Sequence, residues 1–135
     1  LMYEEISREV SLAVVEKDWS TFKRYITEDF TWKLVGAGMT LSYDEFSTLF
    51  ESSKILNPED QHNIIKVIEI NDYVICIYEN TTVENGKITE RQRCHDVVKM
   101  EGNKIKSIIV YSTEVPELKS IEKWLNSLNL ENANI

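Results

Sequence analysis

Few side chains in this sequence could do chemistry, and the one in the least ordinary place is Asp96. It stands in HDVVKM between His95 and Val97, where a plain strand would carry a hydrophobe. A carboxyl group among apolar neighbours resists ionisation, so it tends to stay neutral near pH 7, able to donate a hydrogen bond to a ligand carbonyl or to move a proton. The bland alternative is an acid that bonds a nearby hydroxyl or backbone amide and completes the core. Cys94 would be a nucleophile only beside a base, and its face carries none, so a small core residue is the simpler reading. His62 opens a strand near an edge and reads as a surface or satisfied histidine rather than a catalytic one. Cys76 and Cys94 have the spacing of neither a zinc site nor a redox motif, and no other group has metal-ligand spacing, so no metal and no cofactor is expected. Gly36-Ala37-Gly38 lacks the lysine and the following helix of a phosphate loop and reads as a flexible turn. Asn80-Thr81-Thr82 fits the glycosylation pattern only by accident if the chain is not secreted.

The elements that must hold Asp96 follow from patterning. Residues 91–100 and 104–112 are rich in β-branched and aromatic types, with Glu101-Gly102-Asn103 between them, which predicts a long hairpin. If Asp96 faces inward, alternation sends Gln92, Cys94, Val98 and Met100 inward with it and turns Arg91, Arg93, His95 and Lys99 outward. Upstream, residues 62–70 and 73–83 extend the pattern to four strands with short turns at Asn71-Asp72, Asn85-Gly86 and Gly102-Asn103, an antiparallel meander. Register is open. A two-residue Asn85-Gly86 turn puts Ile75 opposite Asp96, whereas a three-residue loop with a glycine bulge puts Val74 there and lets Tyr78 and Asn80 inward beside Gln92.

Helices precede the strands. Residues 3–17 carry Ile6, Val10, Ala13 and Val14 at helical spacing, Asp18 is a natural N-cap for a short helix through residue 26, and Ser42 caps a third with Tyr43, Phe46, Leu49 and Phe50 as its stripe. A short strand at residues 30–35 lies between the last two, and Asn57-Pro58-Glu59-Asp60 ends the third helix. After Pro116, Leu118, Ile121, Trp124, Leu125 and Leu128 form one more helical stripe, so residues 116–135 read as a C-terminal helical extension. With 135 residues, 42% of them hydrophobic, the chain is expected to be one domain with a real core. A formal charge of −8 disfavours nucleic acid and anionic membrane as partners. No run approaches a membrane span, and the first five residues already carry charge, so neither an anchor nor a secretory signal is expected and the cytoplasm is the expected compartment; Leu1 reads as an extra residue ahead of a native Met2. Several strands are apolar on both faces, as in Tyr73-Val74-Ile75-Cys76-Ile77-Tyr78, so the outer sheet face is expected to pack against a second copy in a homodimer.

This order, helix, then Asp18-Trp19 through Glu28-Asp29-Phe30-Thr31-Trp32, then helix, then a meander ending in Gly102-Asn103-Lys104-Ile105, resembles the nuclear-transport-factor-2-like superfamily, within it the SnoaL-like and ketosteroid-isomerase-like groups. The resemblance implies an α+β fold, a conical cup of curved antiparallel sheet packed on about three N-terminal helices, with an extra C-terminal helix and function inside the cup. It lays the isomerases' oxyanion-donating aspartate on Asp96, their general base on Leu34, their first-helix tyrosine on or near Val10, and the polyketide cyclases' acid/base on Val110. Only the first of these carries the required group, which argues against isomerisation as that family performs it. A small hydrophobic ligand is the expected partner, with Trp32, Phe46, Phe50, Tyr78, Gln92, Cys94, Val110 and Ser112 around it and Asp96 as the catalytic candidate. Two functions stand: a non-catalytic binding domain, or an isomerase, cyclase or dehydratase of apolar carbonyl compounds. A polar partner for Asp96 at an open cavity would favour the enzyme; a cup filled by Trp32, Phe46 and Phe50 would favour the binder.

Overall fold

The computed structural model describes residues 2–52 and 61–114, and the expected helix at residues 116–135 lies outside them. Helix α1 spans Met2–Glu16 and buries Ile6, Val10 and Ala13. Its end is a Schellman motif. Lys17 takes φ 55°, its N–H bonds the Val14 carbonyl and the Asp18 N–H reaches the Ala13 carbonyl at 2.8 Å. Asp18 then caps α2, Trp19–Phe22, by accepting from the Thr21 N–H at 3.1 Å. The expected continuation to residue 26 ends sooner: Lys23–Tyr25 tighten into a 3-10 turn, and Ile26 already belongs to strand β1, Ile26–Leu34.

The loop through Gly36 and Gly38 leads into a strand the periodicity does not reveal, β2, Met39–Ser42, paired antiparallel with β1. Four residues with one inward position give too short an alternation to read. Ser42 and Glu45 then form a reciprocal capping box at the start of α3, Tyr43–Ser52: the Glu45 N–H donates to Ser42 Oγ and the Ser42 N–H to Glu45 Oε1. The meander follows as β3 (Gln61–Ile70), β4 (Tyr73–Glu84), β5 (Lys87–Glu101) and β6 (Lys104–Glu114).

The sheet order is β2-β1-β6-β5-β4-β3, and β1 lies parallel to β6, so the sheet is mixed rather than wholly antiparallel. The N-terminal hairpin joins the free edge of the meander through α3 and β3–β6, a long return that fixes strand direction independently of any tight turn. Register shifts at Ile65 in β3, Thr89 in β5 and between Lys99 and Met100 bend the strands. The helices pack on the concave side around Phe22, Phe30, Phe46 and Phe50, with Ile105 and Val74 fully buried beneath them. The Phe22 ring lies 5.1 Å from Phe50 and 5.4 Å from Phe46, which ties α2 to α3. No helix among the described residues is long and apolar enough to cross a membrane.

Candidate functional site

The register of β4 against β5 decides what enters the cup. Asn85 and Gly86, at φ 52° and 75°, make a two-residue turn of the type I′ kind, yet Thr89 bulges out of β5 and slips the pairing by one. Cys76 therefore lies opposite Asp96, Tyr78 opposite Cys94 and Asn80 opposite Gln92. Neither register weighed from the sequence is the observed one. The inward set is nonetheless that of the second alternative, with Tyr78 and Asn80 beside Gln92 and Asp96.

These side chains line an open cavity of about 450 Å³ between α1, α3 and the concave sheet. It is graded in polarity. At one side Trp32, Phe46, Val98 and Ile108 give an aromatic and aliphatic wall, and Phe50, expected on that wall, sits behind it in the core at 1% exposure. Next comes the row Leu34, Val110, Asp96 and Cys76, paired across β1, β6, β5 and β4. Beyond it lie Ser112, Cys94 and Tyr78, and then Gln92, Asn80 and His62.

Leu34 and Val110 are the positions on which the resemblance lays two further carboxylates. As hydrocarbons in Asp96's own row, they help strip it of water. Burial raises its pKa to about 7, and the Tyr78 hydroxyl, which donates to Asp96 Oδ1 at 3.0 Å, holds it back from rising further. The same burial, with Asp96's charge added, pushes the Tyr78 phenol up and the Cys76 thiol up to about 11. Cys94 is pushed up as well, mainly by burial, so both thiols are poor nucleophiles here. Both are free and buried.

His62, read from the sequence as peripheral, lines the cavity. Its ring packs 4.6 Å from that of Tyr78, and its Nδ1 lies 2.6 Å from Asn80 Oδ1. That bond makes it the satisfied histidine expected near an edge, and the bulge at Ile65 changes the face of alternation beyond it in β3. From α1, Ser7, Val10, Ser11 and Val14 complete the wall. Their i, i+3, i+4, i+7 spacing puts them on one face of α1. Among the described residues no group of three or more His, Cys, Asp or Glu side chains is placed to hold a metal ion.

No family model matches the chain, and no curated protein matches it. Solved structures do. A protein assigned as a ketosteroid isomerase from Kribbella flavida superposes with TM-score 0.70 at 10% identity, over 86% of this chain and 81% of that one. A protein assigned as a SnoaL-like polyketide cyclase from Shewanella denitrificans gives 0.66 at 16%, over 92% and 96%. An NTF2-like protein of unknown function from Cytophaga hutchinsonii gives 0.64 at 19%, over 82% and 88%. The cup of helices on a bent six-stranded sheet, and the neighbours it superposes on, establish the fold of this chain as that of the nuclear-transport-factor-2-like superfamily.

Proposed function

We propose that the cup binds a small, largely apolar molecule bearing a carbonyl group, and that Asp96 gives or takes a proton there in a reaction of the isomerase, cyclase or dehydratase kind. One observation carries this reading: the Tyr78–Asp96 hydrogen bond at the wall of an open, mostly apolar cavity. A carboxyl group poised near 7 is present in both forms at neutral pH, so one side chain can remove a proton from the carbon beside a carbonyl and return it elsewhere. Trp32, Phe46 and Val110 would hold the hydrocarbon part, and Gln92 and Ser112 the rim. Neighbours assigned to isomerase and cyclase activities share the fold and support the reaction class.

Exchange of solvent deuterium beside the carbonyl tests this without knowledge of the product. Phenylcyclohexanone and related ketones should quench tryptophan fluorescence through Trp32 and exchange faster with the protein than without it. Asp96→Asn should still bind and should lose that acceleration by at least about a hundredfold. Binding without exchange would leave the second reading, a non-catalytic binding domain, which the hydrocarbons Leu34 and Val110 beside a single acid favour.

The partner of the outer sheet face is, in the same proposal, a second copy of the chain. Ile68, Ile75, Val97 and Ile109 form one row across β3, β4, β5 and β6 on that face, and Tyr73 and Tyr111 are left 42% and 46% exposed. Arg93 bonds Glu79 at 3.2 Å there, while its buried Nε finds no acceptor among the described residues. A cytoplasmic location suits the two free cysteines.

A further inference from the structure

His62 reaches the cup from β3 and is engaged at one of its two ring nitrogens: Nδ1 lies 2.6 Å from Asn80 Oδ1 on the next strand. An amide oxygen only accepts, so Nδ1 carries the hydrogen, and the uncharged ring keeps Nε2 as an acceptor. Nε2 finds no partner among the described residues. The side chain is half-buried and lines the cavity, so a molecule that enters can meet it. Tyr78 relates it to the acid. The Tyr78 ring packs 4.6 Å from the His62 ring, and from its other end the Tyr78 hydroxyl donates to Asp96. His62 and Asp96 therefore stand the length of a phenol side chain apart on the same wall.

We infer that His62 Nε2 accepts a hydrogen bond from a hydroxyl group of the ligand, which carries its carbonyl at Asp96, its hydroxyl at His62, and between them a frame lying along Tyr78. This rests on the proposed carbonyl-binding reading and narrows it to hydroxyketones whose two oxygens are a ring's length or more apart. An ether or a second carbonyl has no hydrogen to give Nε2 and, by covering that nitrogen, strips it of water and leaves it unpaired. That is the kind of mismatch by which a site rejects an analogue. A carboxylate in the same place is opposed by charge. Glu90 stands beside Gln92 at this end of the cup, accepting from its Nε2 at 2.9 Å, and the chain as a whole carries −8.

The test compares phenylcyclohexanone, its phenyl ring opposite the carbonyl, with the para-hydroxyphenyl and para-methoxyphenyl analogues, by titration calorimetry on the full chain at neutral pH. The hydroxyl compound is expected to bind about tenfold more tightly than the parent, and the methoxy compound no more tightly than it. The quantity read in each variant is the ratio of hydroxyl to parent affinity, so a general weakening of the cup cancels. In His62→Phe, which keeps a ring against Tyr78 and has no acceptor, the preference should vanish. In His62→Gln, whose side-chain oxygen can accept in place of Nε2, part of it should return. A parent ketone that binds with no preference for the hydroxyl compound, a preference the methoxy compound shares, or one that survives His62→Phe overturns the inference and leaves the carbonyl site standing. If none of the three compounds binds, the carbonyl site itself fails, and the inference with it.

Discussion

At the scale of single residues the chemistry rests on how Asp96 is kept from ionising. Folded, it holds its proton up to about 7; unfolded, it loses it near 3.8. Between those values the native state binds the extra proton, so Asp96's contribution to stability is full below pH 3.8, falls as the pH rises through the window, and is level above 7. Asn keeps the side chain's shape and cannot ionise. Urea midpoints for wild type and Asp96→Asn should therefore diverge from pH 4 to pH 7, with the variant a few kcal/mol more stable at pH 8. Comparing the two cancels the acids Asp18, Asp29 and Glu45, whose depressed values act in the opposite direction. In Tyr78→Phe the carboxyl's own titration, followed by NMR of its carbon, should move above 7, since the hydroxyl that favours the charged form is gone. Parallel pH profiles, or a titration near the ordinary carboxylate value, would remove the physical basis of the proposed site. Asp96 itself was legible as a charge interrupting an apolar run. Its partner was legible only once a register placed Tyr78 inward.

At the scale of elements, turns and caps were readable because their chemistry is local. Asp18 before α2, Ser42 with Glu45 before α3, and the Asn85-Gly86 turn each act within four residues of themselves. Pairings set at a distance were not. The parallel contact of β1 with β6, the short β2 and the bulges at Ile65 and Thr89 leave no periodic trace, since each depends on a partner strand far along the chain. Thr89 shows how much one extra residue controls. Its hydroxyl reaches the Thr82 carbonyl, and its presence makes Cys76 rather than Ile75 the neighbour of Asp96. Deleting Thr89 would restore a regular two-residue hairpin and force a choice between two costs. Either β4 turns Tyr78 and Cys76 outward and brings Glu79 and Ile77 into the cup, or the hairpin strains to keep its present faces. Either way thermal unfolding should show a loss on the order of 3 kcal/mol, and ketone binding should disappear even in the folded fraction. Thr89→Ser keeps the bulge and should change stability by less than about 1 kcal/mol. A deletion variant as stable as wild type, with binding intact, would mean that the bulge is not what sets the inward face.

At the scale of the molecule, one sheet serves two purposes, since residues of a strand alternate between the cup and the outer face. Val97 stands between Asp96 and Val98 in β5, yet its neighbours are Ile75 and Ile109 on the far side of the sheet. In the proposed dimer, a substitution there would act on assembly while leaving every cavity-lining side chain unchanged. The apolar row through Val97 and the unpaired Arg93 Nε predict self-association through this face despite a net charge of −8 on each chain, because the row itself carries no charge and Glu79 beside it is paired with Arg93. Sedimentation should give a dimer at micromolar concentration, with an unfolding midpoint that rises with protein concentration. Val97→Lys buries an unpaired ammonium in each half of a symmetric contact and so should dissociate it, leaving a monomer whose midpoint no longer depends on concentration. Its ketone binding should then weaken only as far as the loss of the partner loosens β5. A wild-type chain that sediments as a monomer across that range would sink the dimer, and would leave the exposed tyrosines Tyr73 and Tyr111 without an explanation at this scale. If instead Val97→Lys is monomeric and has lost binding entirely while Asp96 still titrates high, the cup depends on its partner for shape, and cavity and interface must be treated as one site.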